Sequence, residues 1–168
     1  MTTSGRIGTS WTNKPGVNRV LTFLAAGCGF GHVPLAPGTV GSLPGILLAV
    51  LFGSFSAPIQ VGAFVLFTLV AIGLADRAER ASRIEDPRFV VIDEIAGMWA
   101  SLLLLWRLDW PVLVIAFALF RAFDVWKFFP LNVFEGFRGG VGIVADDLAA
   151  GMLVNLLVRV LLVTGWLP

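Results

Sequence analysis

Two acidic pairs, Asp93-Glu94 and Asp146-Asp147, and an aspartate flanked by cations in Arg121-x-x-Asp124-x-x-Lys127 are the side chains of this sequence best equipped for chemistry. Five carboxylates brought to one place repel one another unless protons or a cation neutralise them, and hard oxygen donors of this kind favour Mg²⁺, Ca²⁺ or Mn²⁺. A divalent-cation site is one reading. The other is that each pair caps a helix N-terminus, where the helix dipole favours negative charge. Asp93 and Asp147 each precede a glycine by four positions, in Asp-Glu-Ile-Ala-Gly-Met and Asp-Leu-Ala-Ala-Gly-Met. That likeness predicts two helices in close approach through Gly97 and Gly151, which would draw their carboxylates together. Spacing by three sets Arg121, Asp124 and Lys127 along one helix face. Either an internal salt bridge forms there, or Asp124 joins a metal while Arg121 and Lys127 hold phosphate oxygens.

Two glycine-bearing segments could serve the same chemistry. Pro34-x-x-Pro37-Gly38-Thr39-x-Gly41-Ser42 introduces an apolar stretch. Helix-entry amides there, with the Thr39 and Ser42 hydroxyls, suit an anion, although Pro and Gly punctuation with hydroxyl capping explains the pattern equally well. Gly139-Gly140-x-Gly142 is either a flexible turn or a close backbone approach to a ligand. Other phosphatase chemistries are excluded. His32 is the only histidine, so a nucleophile and acid made of two histidines cannot be built. Cys28 has Pro34 six positions on, where a cysteine-phosphatase loop needs arginine, and no Asp-x-Asp occurs. His32 and Cys28 read as an incidental polar residue and a small buried apolar one.

The elements that must position these residues are apolar helices. Of the 168 residues 57% are hydrophobic and only 14% charged, with a mean hydropathy of +0.89, too few charges to clothe a soluble globule. The net charge of +1, without a basic run, argues against nucleic acid as a partner. No Asp, Glu, Lys or Arg occurs from Val33 to Ala75, room for two spans of about 20 residues each. Val40 to Phe52 with its neighbours and Pro58 to Ala75 form the expected hairpin, turning at Gly53 to Pro58. Arg6, Lys14 and Arg19 before it, and Arg77, Arg80, Arg83 and Arg88 after it, put both flanks on the cytoplasmic side. Ile95 to Trp106 and Trp110 to Phe120 are charge-free but short for spans. A polar loop is expected from Lys127 to Asp147, and a last helix from Leu148 to Pro168, interrupted by Asn155 and Arg159. The predicted fold is all-α: a membrane-embedded bundle of about four to five hydrophobic helices with short polar loops. Residues 1–26 form a basic cytoplasmic tail and entry helix, and 27–168 a single domain. In this tracing all five carboxylates fall at helix ends on one membrane face.

Four ordered motifs carry a resemblance. Pro34-Leu35-Ala36-Pro37-Gly38-Thr39-Val40-Gly41-Ser42, Asp93-Glu94-Ile95-Ala96-Gly97-Met98, Phe120-Arg121-Ala122-Phe123-Asp124-Val125-Trp126-Lys127 and Gly139-Gly140-Val141-Gly142-Ile143-Val144-Ala145-Asp146-Asp147 with Gly151 resemble the phosphatidylglycerophosphatase A family. The resemblance runs from about Gly27 to the C-terminus. It implies Mg²⁺-dependent removal of the terminal phosphate from phosphatidylglycerophosphate, giving phosphatidylglycerol, by a multi-pass protein of the bacterial inner membrane with its site toward the cytoplasm. Asp93, Glu94, Asp124, Asp146 and Asp147 match the family's acidic positions, and Arg121, Lys127, Thr39 and Ser42 its basic and hydroxyl ones. One departure is Phe128, where the family usually has proline after the lysine.

On this basis Asp93, Asp124, Asp146 and Asp147 are expected to hold one or two Mg²⁺ ions, with Glu94 as general base. Arg121 and Lys127, assisted by Gly38, Thr39 and Ser42, would neutralise the phosphoryl oxygens. The rival from another class is a divalent-cation channel or carrier, since ionisable residues near membrane helices often mark ion paths. A phosphotransferase of the CDP-alcohol type would need an Asp-Gly-x-x-Ala-Arg core, which is absent.

Overall fold

The computed structural model describes residues 19–34, 36–126 and 139–167. Among these the chain is all-helical: α1 (Arg19–Ala25), a 3₁₀ turn (Gly27–His32), α2 (Pro37–Gly41), α3 (Leu43–Gly53), α4 (Ala57–Ser82), α5 (Ile92–Leu102), α6 (Trp110–Trp126) and α7 (Gly140–Val163). Lys127 and the basic tail before Arg19 lie outside the described residues.

Length sorts the apolar helices. α4 and α7, of 26 and 24 residues, are long and apolar enough to cross a membrane. Only 17% of the most apolar stretch of α4 is buried in the protein, so Val65, Leu66, Leu69 and Val70 present a bare apolar face instead of a core. α5 has 11 residues and rises about 16 Å, half of a hydrocarbon core of about 30 Å. α3 and α6, of 11 and 17 residues, are also shorter than the two long helices. Among the described residues, therefore, the chain is all-helical with two helices of membrane-crossing length, α4 and α7, and one shorter apolar stretch over Pro37–Gly53, not the four to five spans expected.

A helix that stops within an apolar bundle leaves carbonyls without partners. α7 supplies them. Asn155 Nδ2 donates to the Ala100, Ser101 and Leu103 carbonyls at 3.1, 3.1 and 2.9 Å. Arg159 Nη2 donates to Leu103 and Leu104 at 3.1 and 2.8 Å, while its Nε donates to Asn155 Oδ1 at 2.7 Å. The guanidinium also lies 5.8 Å from the Trp106 ring centroid, within cation–π reach. The two polar interruptions of the last apolar stretch are thus the cap of α5.

The sequence places the start of the last helix at Leu148; α7 begins eight residues earlier, at Gly140. Gly139 takes φ 74°, and Gly140 lies against the Ile72 carbonyl of α4. Gly140 therefore serves a close approach between α7 and α4. Because α7 starts there, Asp146 and Asp147 sit in its second turn and not in a loop. Met98, Phe120 and Val154, all without exposed surface, pack in the main apolar cluster of α5, α6 and α7.

Candidate active site

Gly97 and Gly151 fix the centre of the site. A Cβ on Gly97 would stand 2.6 Å from the Asp147 carbonyl oxygen and 2.6 Å from the Phe120 ring; one on Gly151 would collide with the Gly97 carbonyl. Small residues at both positions let the α5 and α7 backbones touch. Asp93, in the first turn of α5, and Asp147, on α7, are brought together as a result. They are 7% and 4% exposed, values rare for aspartate without a partner.

Asp93, Glu94 and Asp147 each offer a carboxylate oxygen, all within 4.8 Å of one another. Asp93 Oδ1, Glu94 Oε2 and Asp147 Oδ2 are buried and accept no hydrogen bond. Buried carboxylate oxygens left without donors are costly, and a set of three such oxygens fits a hard divalent cation. Burial holds the Asp93 carboxyl well above the usual range, and the neighbouring Glu94 adds to this. Burial likewise lifts Glu94 to about 8, against a hydrogen bond with Asp93 and with added repulsion from Asp147 and Asp124. Without a cation, Asp93 and Glu94 therefore hold a proton more tightly than solvent-exposed carboxylates do.

The trio opens on a cleft of about 510 Å³ that also receives Gly38, Arg121, Asp124 and Asp146. Arg121 Nη1 pairs with Asp124 Oδ2 at 2.5 Å, both side chains less than a fifth exposed. The buried Nε of Arg121 has no acceptor among the described residues, so the guanidinium keeps capacity for an anion. Gly38 lies against both Glu94 and Arg121: a Cβ there would meet Glu94 Oε1 and come within 3.0 Å of Arg121 Nη2. Asp146 Oδ1 accepts the Asp147 amide at 3.0 Å.

The expected residues thus divide. All five carboxylates, Arg121 and Gly38 line one cleft. Glu94, expected as base, stands within the metal-competent trio, whereas Asp124, expected as a ligand, is paired with Arg121. Thr39 is not on the cleft wall. Ser42 is fully buried, is not on the cleft wall, and donates its hydroxyl to the Gly38 carbonyl at 2.7 Å, so it braces the segment. Sequence reasoning passed over Asp86 and Arg88, both on the cleft wall. Arg88 had counted only as one more cytoplasmic cation; its place five residues ahead of Asp93 was the available signal.

Comparison with known proteins makes the chain a hydrolase of phospholipid metabolism, a lipid phosphatase. Residues 23–162 match the family model of phosphatidylglycerophosphatase A, and the chain belongs to that family. Phosphatidylglycerophosphatase A of Escherichia coli is 35% identical over 133 residues, 77% of this chain and 76% of that protein. The Haemophilus influenzae protein of that name is 37% identical over 134 residues, 77% and 80% of the two chains. A Bacteroides thetaiotaomicron protein, provisionally named a phosphatidylinositol-3-phosphatase, is 41% identical over 145 residues, 82% and 90%. No solved structure matches the chain.

Proposed function

We propose that the chain hydrolyses the terminal phosphate monoester of phosphatidylglycerophosphate, giving phosphatidylglycerol and phosphate, with Mg²⁺ held by Asp93, Glu94 and Asp147. The observation that carries this is the juxtaposition of three buried, donor-less carboxylate oxygens with a guanidinium that retains an unused donor. Family relatives named for this substrate support it. We place the protein in the bacterial inner membrane, with α4 and α7 crossing and the cleft toward the cytoplasm, where Arg77, Arg80, Arg83 and Arg88 cluster.

When bound, the divalent ion supplies Lewis-acid polarisation of the phosphoryl group and a more acidic attacking water. Arg121 binds the phosphoryl oxygens and offsets the charge they gain in the transition state. Asp124 holds that guanidinium in place. Gly38 leaves the space between Glu94 and Arg121 open, because any side chain there would fill it. Glu94 belongs to the trio and its Oε1 lies beside Gly38, which places it to take the proton of the attacking water.

Phosphate release from phosphatidylglycerophosphate by detergent-purified protein, with Mg²⁺ and with EDTA, tests this beside Asp124→Asn and Asp147→Asn. Phosphatidylinositol 3-phosphate belongs in the same assay, given the name of one relative. Mg²⁺-dependent turnover lost in both variants is expected; undiminished turnover in EDTA would sink the metal assignment, and turnover of the inositol lipid alone would sink the substrate.

A further inference from the structure

We propose that Arg88 grips the phosphodiester of the lipid headgroup, the second phosphate of the substrate, and so selects lipids that carry a diester as well as the monoester being cleaved. The inference rests on the functional reading above.

The cleft, at about 510 Å³, falls within the range of about 300–1,000 Å³ that encloses a whole small ligand, so it has room for more than a phosphoryl group. Its wall carries six carboxylates, Asp86, Asp93, Glu94, Asp124, Asp146 and Asp147, against two guanidiniums among the described residues, Arg88 and Arg121. An anionic headgroup can enter so acidic a cleft only where cations receive it. Phosphatidylglycerophosphate brings two phosphates separated by a glycerol. The trio and Arg121, which lies beside Glu94 and is paired with Asp124, account for one.

Arg88 is left for the other. It is exposed and makes no hydrogen bond or ion pair with a described residue. Its backbone is nonetheless fixed: Pro87 is fully buried, the Val90 amide donates to the Pro87 carbonyl at 2.8 Å, and the Val91 amide donates to the Ala25 carbonyl of α1 at 3.1 Å. A planar fork of donors on a fixed turn at the cleft wall suits a phosphate oxygen pair. Asp86, two residues earlier on the same wall, acts electrostatically on Asp93, which places this turn next to the trio.

Two inhibitors report the two ends separately, because phosphatidylglycerol keeps the diester and lacks the monoester, whereas inorganic phosphate has no diester. In full-length, Mg²⁺-loaded protein in detergent, Arg88→Gln should raise KM for phosphatidylglycerophosphate about tenfold with kcat near the wild-type value. The inhibition constant of phosphatidylglycerol should rise by the same factor and that of phosphate should stay put, with Arg88→Lys recovering part of the loss. An unmoved KM, a fall in kcat alone, or phosphate inhibition weakened in step would overturn the assignment. Wild-type protein that releases no phosphate from this lipid would overturn the functional reading itself, and this inference with it.

Discussion

Gly97 of α5 packs against the main-chain carbonyl of Asp147 on α7, so closely that an added Cβ would stand 2.6 Å from that oxygen. The carboxylate trio depends on this contact, since Asp93 and Glu94 ride on one helix and Asp147 on the other. Gly97→Ala and Gly151→Ala should each push the helices apart. Overpacking of this kind costs about 1–3 kcal/mol, and a displacement of about 1 Å at a reacting centre costs about 100-fold in rate. Turnover should therefore fall far more than helical content, read by circular dichroism on the same samples. Full activity in Gly151→Ala would show that the trio tolerates separation.

Metal removal should be reversible. EDTA is expected to abolish phosphate release and added Mg²⁺ to restore it, because the ligands are held by packing and not by the ion. Asp93→Asn and Asp147→Asn should raise the Mg²⁺ concentration for half-activation by at least about 10- to 100-fold, the loss usual even for outer partners of a metal. Half-activation at the wild-type concentration in either variant would remove that residue from the ligand set.

Burial raises the Glu94 carboxyl from its ordinary 4.5 to about 8 in the metal-free protein. A group with a raised folded-state pKa binds its proton more tightly folded than unfolded, so the proton stabilises the fold below the ordinary value and that stabilisation is lost as pH climbs toward about 8. Metal-free protein should accordingly melt at lower temperature as pH rises through this interval. Mg²⁺ or Glu94→Gln should flatten the dependence; a Glu94→Gln melting profile that keeps the wild-type slope would assign it elsewhere.

Asn155 and Arg159 satisfy four carbonyls at the end of α5. Asn155→Ala leaves some of these without a donor, at about 1–3 kcal/mol. Thermal stability should drop while the Mg²⁺ concentration for half-activation holds, because the change lies two turns of α7 beyond the trio. A shift in metal affinity without a stability loss would mean the cap serves the site directly.

The apolar cores of the helices were legible in the sequence because apolar runs between charges are long, although α4 continues through Asp76, Arg77, Glu79 and Arg80 to Ser82, past the end expected at Ala75, and the convergence of α5 and α7 was legible in their paired glycines. What could not be read were contacts between distant segments. Ser42 looks the same in sequence whether its hydroxyl faces a ligand or its own helix carbonyl. Asn155 and Arg159 look like flaws in an apolar helix until the end of α5 is set beside them. The start of α7 was misplaced because Gly140, a poor helix residue in isolation, is chosen for what it lets α4 approach.

The apolar packing of Met98, Phe120 and Val154 has a consequence for the cell that would carry such an enzyme. Water and ions must reach the carboxylates, yet a membrane that stores a proton gradient cannot tolerate a pore. With the protein in the membrane as proposed, the three zero-exposure side chains from α5, α6 and α7 would block passage beside the acidic cluster, which would then serve as a reaction vessel on one surface and not as an ion path.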